Sequence, residues 1–509
     1  MAATCSAHRT TCGSVWISRK APRRGSSTSR WDTPGDVHQH PVRRDPLPEG
    51  VRALRRLRPH RHQPVHHQQK GTHERRIEHE RRIEHDATGD DLALVDGSRT
   101  RRNEKQKGTE ERTMKVLAAP MFALALALAV PAVAQAAEPP LPSLVLISDV
   151  NIFDGTSDTL HENIHVLIKD NLIETVSHEP LMVTQTDNVT MIDGGGRTLI
   201  PGLIDAHWHS TYCCTAQSTV ITGDIMEIAI RGAMGSEETL LRGFTTVRDV
   251  GGNPFSIKKM IDAGEIIGPR IFPSGPPITQ TGGHLDYRPY QAVPSNPADS
   301  LWYWYHSGLM LQADGVPEVI LRSREVMRMG ASQIKIAAGG GVSSLYDALD
   351  VRQYTKAELE AFVEVADTYN TYVLAHIFTD HAAQVAVEAG VKSIEHGNLL
   401  SEETLKLMKD KGAWLSVQPI INDEDAIQFD DPISTKKFIE VTEGTDRVIG
   451  LAKKMGVNMA WGTDMLFDPA LARKQGAFVA KMKRWFTPYE IMKMVTSNNA
   501  ELLALCGPR

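Results

Sequence analysis

Residues 198–210 read TLIPGLIDAHWHS, an apolar run that ends in His207 and His209. Side chains at positions i and i+2 of a β-strand point to the same side, so two imidazoles with this spacing can approach one metal ion where the strand ends. An isolated pair of this kind is equally well explained by two polar residues at the end of a strand. The interpretation as a metal site therefore depends on the ligands that the rest of the chain supplies.

The sequence after His209 alternates helical segments with short apolar runs. The predicted helices cover residues 224–242, 254–263, 316–329, 356–369, 379–389, 402–411 and 435–455. The runs that follow them read GFTTVRDVGG, RIFPSG, QIKIAAGGG, YVLAH, SIEHG, AWLSVQP and NMAWGTD. Strands separated by helices imply a parallel sheet, and eight strands, counting the one before His209, imply an α/β fold closed as a (β/α)8 TIM barrel. In such a barrel the active site lies at the C-terminal ends of the strands.

Six residues of types that bind metals stand at the ends of these predicted strands or within them. Strand one supplies His207 and His209, strand four Lys335, strand five His376, strand six His396 and strand eight Asp464. Random placement would put some of them on helices, and none falls there. We therefore predict that these residues meet at the mouth of the barrel and hold metal ions.

The combination of residues also predicts a chemistry. Imidazoles with a carboxylate suit zinc, with manganese and cobalt as alternatives. Beside cations an ammonium group is repelled and desolvated, so Lys335 could instead be neutral and add carbon dioxide to form a carbamate that bridges two divalent ions. A lysine at a strand end is otherwise explained by its charged end reaching water. Two bridged ions would share a hydroxide, and Asp464 would carry its proton to the leaving nitrogen of an amide-type bond.

The segments PGLIDAHWH, GFTTVRD, TGGH, IKIAAGGG, SIEHG and WGTD occur in this order. In this respect the chain from about residue 144 to its end resembles the amidohydrolase superfamily. It looks most like the imidazolonepropionase-related group, which includes Xaa-Pro dipeptidase-like peptidases and ochratoxinase-type amidases. The resemblance implies that the six residues hold two metal ions, one on His207, His209 and Asp464 and the other on His376 and His396, with a carboxylated Lys335 as the bridge.

Further residues are expected to contact the substrate. His284, in TQTGGHLDY, has no metal role in this scheme, and the resemblance implies that it contacts the substrate carbonyl or stabilises the oxyanion, acting in catalysis beside Asp464. The alternative is a structural histidine. Loops that could meet a substrate carboxylate carry Tyr212, Tyr287, Ser343 and Tyr346. We expect Arg248 and Asp249, after the second strand, to form a structural ion pair.

Residues 138–200 precede the barrel, which we assign to residues 201–509. They contain the β-rich runs LVLISDVNIFDG, IHVLIKDNLIETV and VTMIDGGG. Alternating hydrophobicity broken by Asp-Gly and Asn predicts a small antiparallel sheet. Members of the resembled family continue beyond the segment TSNNAELLALCGPR into a glycine-rich turn and strands that complete this sheet. The resemblance therefore predicts a C-terminally truncated β-sandwich domain with exposed strand edges.

Residues 1–113 differ in composition from the rest of the chain. They carry 24 Lys and Arg against 15 Asp and Glu, a net charge of +9, so with −6 for the whole chain the remaining residues carry −15. Because apolar clusters are few here, we predict a disordered basic extension. Such an arm could bind nucleic acid, but no aromatic residues alternate with its charges after Trp31, and we expect no nucleic-acid partner.

Met114 begins the segment MKVLAAPMFALALALAVPAVAQAAEPP. A lysine, an apolar Ala/Leu-rich segment and a small-residue cleavage site are typical of a secretory signal peptide, here at residues 114–137. Because such a signal works only at an N-terminus, we hypothesise that Met114 is the natural start, that residues 1–113 are not native and that the protein is periplasmic or secreted. The alternative is a membrane anchor. The alanine content and the cleavage motif argue against it, so we expect no stable anchor after cleavage.

These features together predict an exported metal-dependent hydrolase that cleaves amide or peptide bonds. Its substrate would be a small molecule or resemble a dipeptide, as for a dipeptidase, a carboxypeptidase-like enzyme or an N-acyl amino acid amidase. One alternative is a cyclic amidase or imidazolone hydrolase with a single metal ion, which needs no bridging Lys335. Another is a non-catalytic relative, which would typically lack ligands. The sequence leaves a homo-oligomer open, and its five cysteines, with Cys213 and Cys214 adjacent, supply no disulfide framework.

Overall fold

The computed structural model describes residues 143–183, 188–288, 290, 305, 307–344 and 346–508, together with the strand Val15–Ile17. The predicted signal peptide lies outside the described residues, as does the predicted basic extension apart from Val15–Ile17. None of the helices within the described ranges is both long enough and apolar enough to cross a membrane.

The small sheet ahead of the barrel has five strands in the order β1-β5-β2-β3-β4. They are Val15–Ile17 (β1), Leu144–Ile152 (β2), His161–Lys169 (β3), Leu172–Ser177 (β4) and Val189–Pro201 (β5). Strands β2, β3 and β4 pair antiparallel as predicted. Strand β2 pairs with β5 in parallel, so the prediction of a purely antiparallel sheet is wrong at this pair. The reason is that the β3–β4 hairpin occupies one edge of β2, and the chain returns to the other edge to form β5.

The strands of the barrel form two parallel sheets. One sheet contains Leu203–Trp208 (β6), Phe244–Asp249 (β7) and Arg270–Pro273 (β8). The other contains Ile278–Thr279 (β9), Leu311–Gln312 (β10), Ile334–Ala337 (β11), Val373–Ile377 (β12), Ser393–His396 (β13), Trp414–Val417 (β14) and Asn458–Trp461 (β15). The eight predicted strands are β6 to β8 and β11 to β15. The TIM-barrel type of fold is confirmed, but strand pairing among the described residues does not close the barrel.

The helices pack around these strands, and each predicted helix is present with small differences at its ends. They are Gln217–Thr222 (α1), Ile225–Leu241 (α2), Phe255–Asp262 (α3), Val316–Met329 (α4), Lys356–Thr368 (α5), Asp380–Ala389 (α6), Glu402–Asp410 (α7), Pro432–Met455 (α8), Pro469–Ala472 (α9), Gln475–Lys481 (α10), Pro488–Lys493 (α11) and Asn499–Ala504 (α12). Local signals set their ends. Thr355 and Glu358 form a capping box at the start of α5, and α4 ends at Gly330, whose φ of 105° suits glycine.

The main hydrophobic core lies between the strands and the surrounding helices. Phe244 on β7 and Trp461 on β15 are fully buried there, with their rings stacked at 5.9 Å between centroids. Phe362 on α5 and Ile336 on β11 are also fully buried in this core. The core therefore joins the second and the last strands of the barrel, β7 and β15, to the same apolar layer, although these two strands do not pair with each other.

Hydrogen bonds from loops and side chains replace strand pairing where β8 faces β11. The backbone N–H of Ser332 donates to the carbonyl of Pro273 at 2.6 Å. The side-chain amide of Gln333 donates to the carbonyl of Phe272 at 2.9 Å. These bonds satisfy backbone carbonyls that a continuous sheet would have paired.

A buried carboxylate holds the second junction, where β15 meets β6. Asp205 on β6 accepts hydrogen bonds from Thr463 N at 3.1 Å, from Thr463 Oγ1 at 2.7 Å and from Gln475 Nε2 at 2.8 Å. It also accepts from the N–H of His207 at 3.0 Å. One side chain thus connects the start of the barrel to the loop after its last strand.

We predict that Asp205→Ala destabilises the protein, because the buried donors of Thr463 and Gln475 lose their acceptor. Leaving a buried donor without its acceptor typically costs about 1–3 kcal/mol per group. The free energy of unfolding, measured by urea denaturation of metal-free protein, should fall by an amount of that order. The matched control is Asp410→Ala, which removes an exposed carboxylate paired with Lys406 and should change stability little. Equal losses in the two variants would contradict the assignment.

Candidate active site

The C-terminal ends of the barrel strands surround a cavity of about 130 Å³. All six predicted metal ligands line this cavity, namely His207, His209, Lys335, His376, His396 and Asp464. Each of these side chains except Asp464 is buried, and Asp464 is partly exposed to the cavity. The fold therefore brings together residues that lie up to 257 positions apart in the sequence.

Asp464 lies at the centre of a cluster of imidazoles. Its Oδ1 is 3.2 Å from His207 Nε2 and 3.2 Å from His209 Nε2. Its Oδ2 is 3.9 Å from His396 Nδ1. One ligand atom each from His207, His396 and Asp464 lies within 4.8 Å of the others, a spacing that allows these groups to share a metal ion.

His376 and Lys335 lie beside this cluster. The ring centroid of His376 is 4.5 Å from that of His396, and its Nε2 is 3.2 Å from the carbonyl oxygen of Gly340. Donation from Nε2–H to this carbonyl would select the tautomer whose Nδ1 is free to act as a ligand. Burial lowers the pKa of Lys335 to about 8, so its amine loses its proton more easily than that of an exposed lysine.

The backbone is strained at two of the candidate ligands. His396 has a φ of 76° and Asp464 a φ of 55°, in the left-handed region that residues other than glycine seldom adopt. Such strain costs about 1–3 kcal/mol per residue and concentrates at functional sites. At His396 it interrupts the alternation of the strand, so Glu395 and His396 both contact His207. Gly462 is also needed, because a Cβ there would lie 2.4 Å from the backbone nitrogen of His207.

Glu395 is a functional residue that the sequence analysis missed. Its carboxylate accepts from Arg248 Nη2 at 2.8 Å and lies 2.7 Å from His207 Nδ1, with all three side chains buried. The predicted ion pair between Arg248 and Asp249 is wrong. Asp249 instead accepts from the backbone N–H of Ser210 at 2.7 Å, because adjacent strand residues point to opposite faces of the sheet. The available signal was a carboxylate directly before a histidine at a strand end in SIEHG.

Close contacts fix the ring of His284. Its Nδ1 is 2.7 Å from Ser344 Oγ and 3.7 Å from Asp347 Oδ2. A Cβ on Gly341 would fall 1.9 Å from this nitrogen, so the ring occupies space that only glycine leaves open. Lys437 on α8 donates to the carbonyls of Gly341 at 3.0 Å and Ser344 at 2.8 Å, which ties the loop around His284 to the helix.

Of the other predicted substrate contacts, three line the cavity and one does not. Tyr287 and Ser343 line the cavity, with their hydroxyl oxygens 2.7 Å apart. Tyr212 also lines it, but its hydroxyl donates to the carbonyl of Leu309 at 2.7 Å. Tyr346 is 52% exposed and is not among the residues that line the cavity. The loop position of Tyr346 in the sequence thus does not bring it to the site.

A large part of the cavity lining, here called the apolar wall, consists of hydrocarbon side chains. Its residues come mostly from the loop after β14, from α8 and from the loop after β15, and include Ile420, Ile427, Phe429, Phe438, Val441, Leu466 and Phe467. No periodic pattern in the sequence predicted this wall, because it is built from irregular segments. A ligand in the cavity would meet both polar groups and hydrocarbon.

The charge states of the imidazoles are set by burial and by Asp464. Burial lowers the pKa of His284 and of His396 to about 3 and holds that of His376 well below its ordinary value. Burial also lowers the pKa of His207, but the carboxylates of Asp464 and Glu395 together outweigh it and the pKa is raised. Burial alone would raise the pKa of Asp464, yet the neighbouring imidazoles, His207 foremost, hold it well below its usual range. The neutral imidazoles of His376 and His396 beside the carboxylate of Asp464 fit a divalent cation, since metal binding requires deprotonated ligands.

Comparison with known proteins places these observations in a family. The sequence profile described as "Amidohydrolase family" matches residues 198–506, a range that contains every predicted metal ligand. Among curated proteins, the chain is similar to ochratoxinase of Aspergillus niger, with 31% identity over 358 residues that cover 66% of this chain and 72% of the relative.

The fold of the chain is also similar to that of solved structures. A prolidase in complex with N-methylphosphonate-L-proline is 32% identical, with a TM-score of 0.66 over 72% of this chain and 88% of that one. An Xaa-Pro dipeptidase with methionine bound in its active site is 28% identical, with a TM-score of 0.62 over 71% of this chain and 89% of that one.

The histidine pKa values predict that metal-free protein loses stability as the pH falls. Between pH 6.5 and about 4.5, His284 and His396 take up protons in the unfolded chain but stay neutral in the folded chain. Each such imidazole should lower the free energy of unfolding by about 1.4 kcal/mol per pH unit. His207, whose pKa is raised, acts in the opposite direction, but its effect falls above pH 6.5, where the folded chain binds this proton and the unfolded chain does not, so it does not change the slope in this range.

This prediction is tested by urea denaturation at several pH values in the presence of a chelator. His284→Asn should reduce the slope of stability against pH, because the variant lacks one imidazole that stays neutral in the folded protein. The matched control is His381→Asn, at an exposed position on α6, which should leave the slope unchanged. A slope that is the same in all three proteins would contradict the prediction.

Proposed function

The chain belongs to the amidohydrolase family, and we propose that it hydrolyses the amide bond of dipeptides or N-acyl amino acids at a centre of two divalent metal ions. One observation carries the proposal. The carboxylate of Asp464 lies 3.2 Å from both His207 and His209 at the mouth of a cavity that has an apolar wall. This arrangement combines metal ligands, a proton carrier and space for an apolar group of a substrate.

The donor set supports an assignment of ligands to ions. His207, His209 and Asp464 would hold the first ion and His376 and His396 the second, with a carboxylated Lys335 between them. A lysine whose pKa burial lowers to about 8 has a larger neutral fraction to react with carbon dioxide, which supports the bridging role. When bound, the ions would lower the pKa of a water molecule and polarise the scissile carbonyl.

Asp464 is the proposed proton carrier. Its pKa is held well below the usual range by the neighbouring imidazoles, so it is ionised at neutral pH and able to accept a proton. It would take the proton released when water attacks the amide carbon and donate it to the nitrogen as the carbon–nitrogen bond breaks. The left-handed backbone of Asp464 fixes the carboxylate in the position required for both transfers.

His284 is the proposed donor to the substrate carbonyl. It is neutral at neutral pH, since burial lowers its pKa to about 3. The role requires the tautomer in which Ser344 Oγ, 2.7 Å away, donates to Nδ1 and the ring proton lies on Nε2, where it can stabilise negative charge on the carbonyl oxygen during attack. The Tyr287 and Ser343 hydroxyls, 2.7 Å apart, would bind the polar end of the substrate.

The substrate class rests on the cavity and on the relatives. The named activities of the similar proteins are those of an ochratoxinase, a prolidase and an Xaa-Pro dipeptidase. The apolar wall, with Phe429 and Phe438, suits an aromatic or aliphatic group next to the amide. The competing function, a cyclic amidase with a single ion, leaves the buried Lys335 without a role. We further propose export, which rests on the signal-peptide pattern of residues 114–137 alone.

We predict that Asp464→Asn lowers kcat by roughly 10²–10⁴-fold on the best substrate of a panel of Xaa-Pro dipeptides and N-acyl amino acids. The asparagine keeps the shape but cannot carry a proton. The matched control, Asp262→Asn, changes an exposed carboxylate that pairs with Lys258 on α3 and should retain full activity. Activity of Asp464→Asn equal to that of the control would refute the proposed role.

Metal removal provides a separate test of the activity. Hydrolysis should stop after dialysis against a chelator and return on addition of zinc, manganese or cobalt together with bicarbonate, because both the ions and the carbamate must be restored. Hydrolysis that persists in metal-free protein, or failure of every member of the panel with metal present, would count against the proposed function.

A further inference from the structure

Two adjacent thiols lie directly behind the candidate active site. Cys213 and Cys214 follow His209 by four and five residues, and their sulfur atoms are 2.8 Å apart. Cys213 is 1% exposed, whereas Cys214 is half-buried and so reachable from solvent. The proposed function gives neither thiol a role.

The packing leaves room for both sulfurs. Gly235 on α2 faces them, and a Cβ at this position would lie 2.1 Å from Cys214 Sγ and 3.7 Å from Cys213 Sγ. Any other residue at position 235 would therefore push the Cys214 sulfur aside. The absence of a side chain here keeps the two sulfur atoms together on one side of the turn.

The turn that carries the thiols also positions the site. The carbonyl of His209 accepts hydrogen bonds from Tyr212 N at 3.0 Å and Cys213 N at 2.8 Å. The ring of Tyr212 stacks on that of His209 with centroids 5.7 Å apart. The carbonyl of Tyr212 in turn accepts from Phe467 N at 3.0 Å, on the loop that follows Asp464. A change in the peptide between Cys213 and Cys214 therefore reaches groups on both sides of the proposed metal centre.

We propose that Cys213 and Cys214 form a reversible disulfide between neighbouring residues, and that its formation lowers the activity of the site. The oxidant is a low-molecular-weight disulfide such as oxidised glutathione. The Cys214 thiolate attacks it and releases one glutathione thiol, which leaves a mixed disulfide on Cys214. The Cys213 thiolate then attacks the Cys214 sulfur and releases the second glutathione. In total, two protein thiols are oxidised and one glutathione disulfide is reduced to two thiols.

The short distance between neighbouring residues explains why formation of the Cys213–Cys214 disulfide would disturb the site. Adjacent Cα atoms are about 3.8 Å apart across a trans peptide, whereas most disulfides span about 4.4–6.8 Å between Cα atoms. The eight-membered ring therefore requires the turn to change its backbone angles. The same strain makes the bond easy to reduce, so the modification is reversible by small thiols.

The test uses the full chain with zinc bound, treated with oxidised glutathione, freed of reagent, denatured and alkylated with N-ethylmaleimide. Peptide mapping by mass spectrometry should find residues 213 and 214 unalkylated and lighter by two hydrogen atoms, while the buried Cys506 is alkylated as an internal reference. Before denaturation, kcat/KM on an amide substrate should be lower by roughly tenfold or more, as small displacements of catalytic groups produce. A phosphine reductant should restore it.

Variants separate the two parts of the proposal. Cys214→Ser and the double variant Cys213→Ser/Cys214→Ser should remain active and become insensitive to the oxidant. Cys213→Ser should stop at the mixed disulfide on Cys214. Alkylation of both residues after oxidation would overturn the proposal, and so would a closed disulfide with unchanged kcat/KM and zinc content. The mass measurement decides the thiol chemistry even if no amide substrate is found, so its failure is distinguishable from failure of the proposed function.

Discussion

The buried carboxylate of Glu395 lies between a guanidinium and an imidazole, and the geometry of the site depends on it. Burial alone would raise the pKa of Glu395, but Arg248 and His207 hold it well below its ordinary value. Its hydrogen bond to Nδ1 of His207 directs Nε2 towards Asp464. This is the role that acids behind ligating histidines play in metal sites, where they fix both tautomer and ring orientation. Arg248 in turn prevents Glu395 from being an isolated buried charge.

The candidate site lies where the regular sheet ends. Among the described residues no strand pairing joins β15 to β6, and Asp205 and Thr463 provide hydrogen bonds there instead. The loop after β15 turns through Asp464 in a left-handed conformation and places its carboxylate between imidazoles from β6 and β13.

The sequence predicted the parts of the structure that follow periodic patterns. Spacing and hydrophobic alternation predicted helices such as Val316–Met329 and the positions of the strands. They also placed the candidate ligands at strand ends. It did not predict Glu395 as a partner of Arg248, because that contact joins different strands across the barrel interior. Nor did it predict the apolar wall, since Ile427 and Phe429 lie in irregular loop. Tyr346 was expected to contact the substrate but does not line the cavity. The direction of a loop side chain depends on contacts that no local sequence pattern encodes.

We propose that Lys335 bridges two divalent ions in this cavity, and a measurement of metal content is the decisive test. Plasma mass spectrometry would be applied to protein reconstituted with zinc and bicarbonate, as the unaltered chain, as Lys335→Ala and as the exposed-lysine control Lys406→Ala. We expect about two ions per chain in the unaltered protein and the control, and clearly fewer in Lys335→Ala. One ion per chain in all three folded proteins would contradict it.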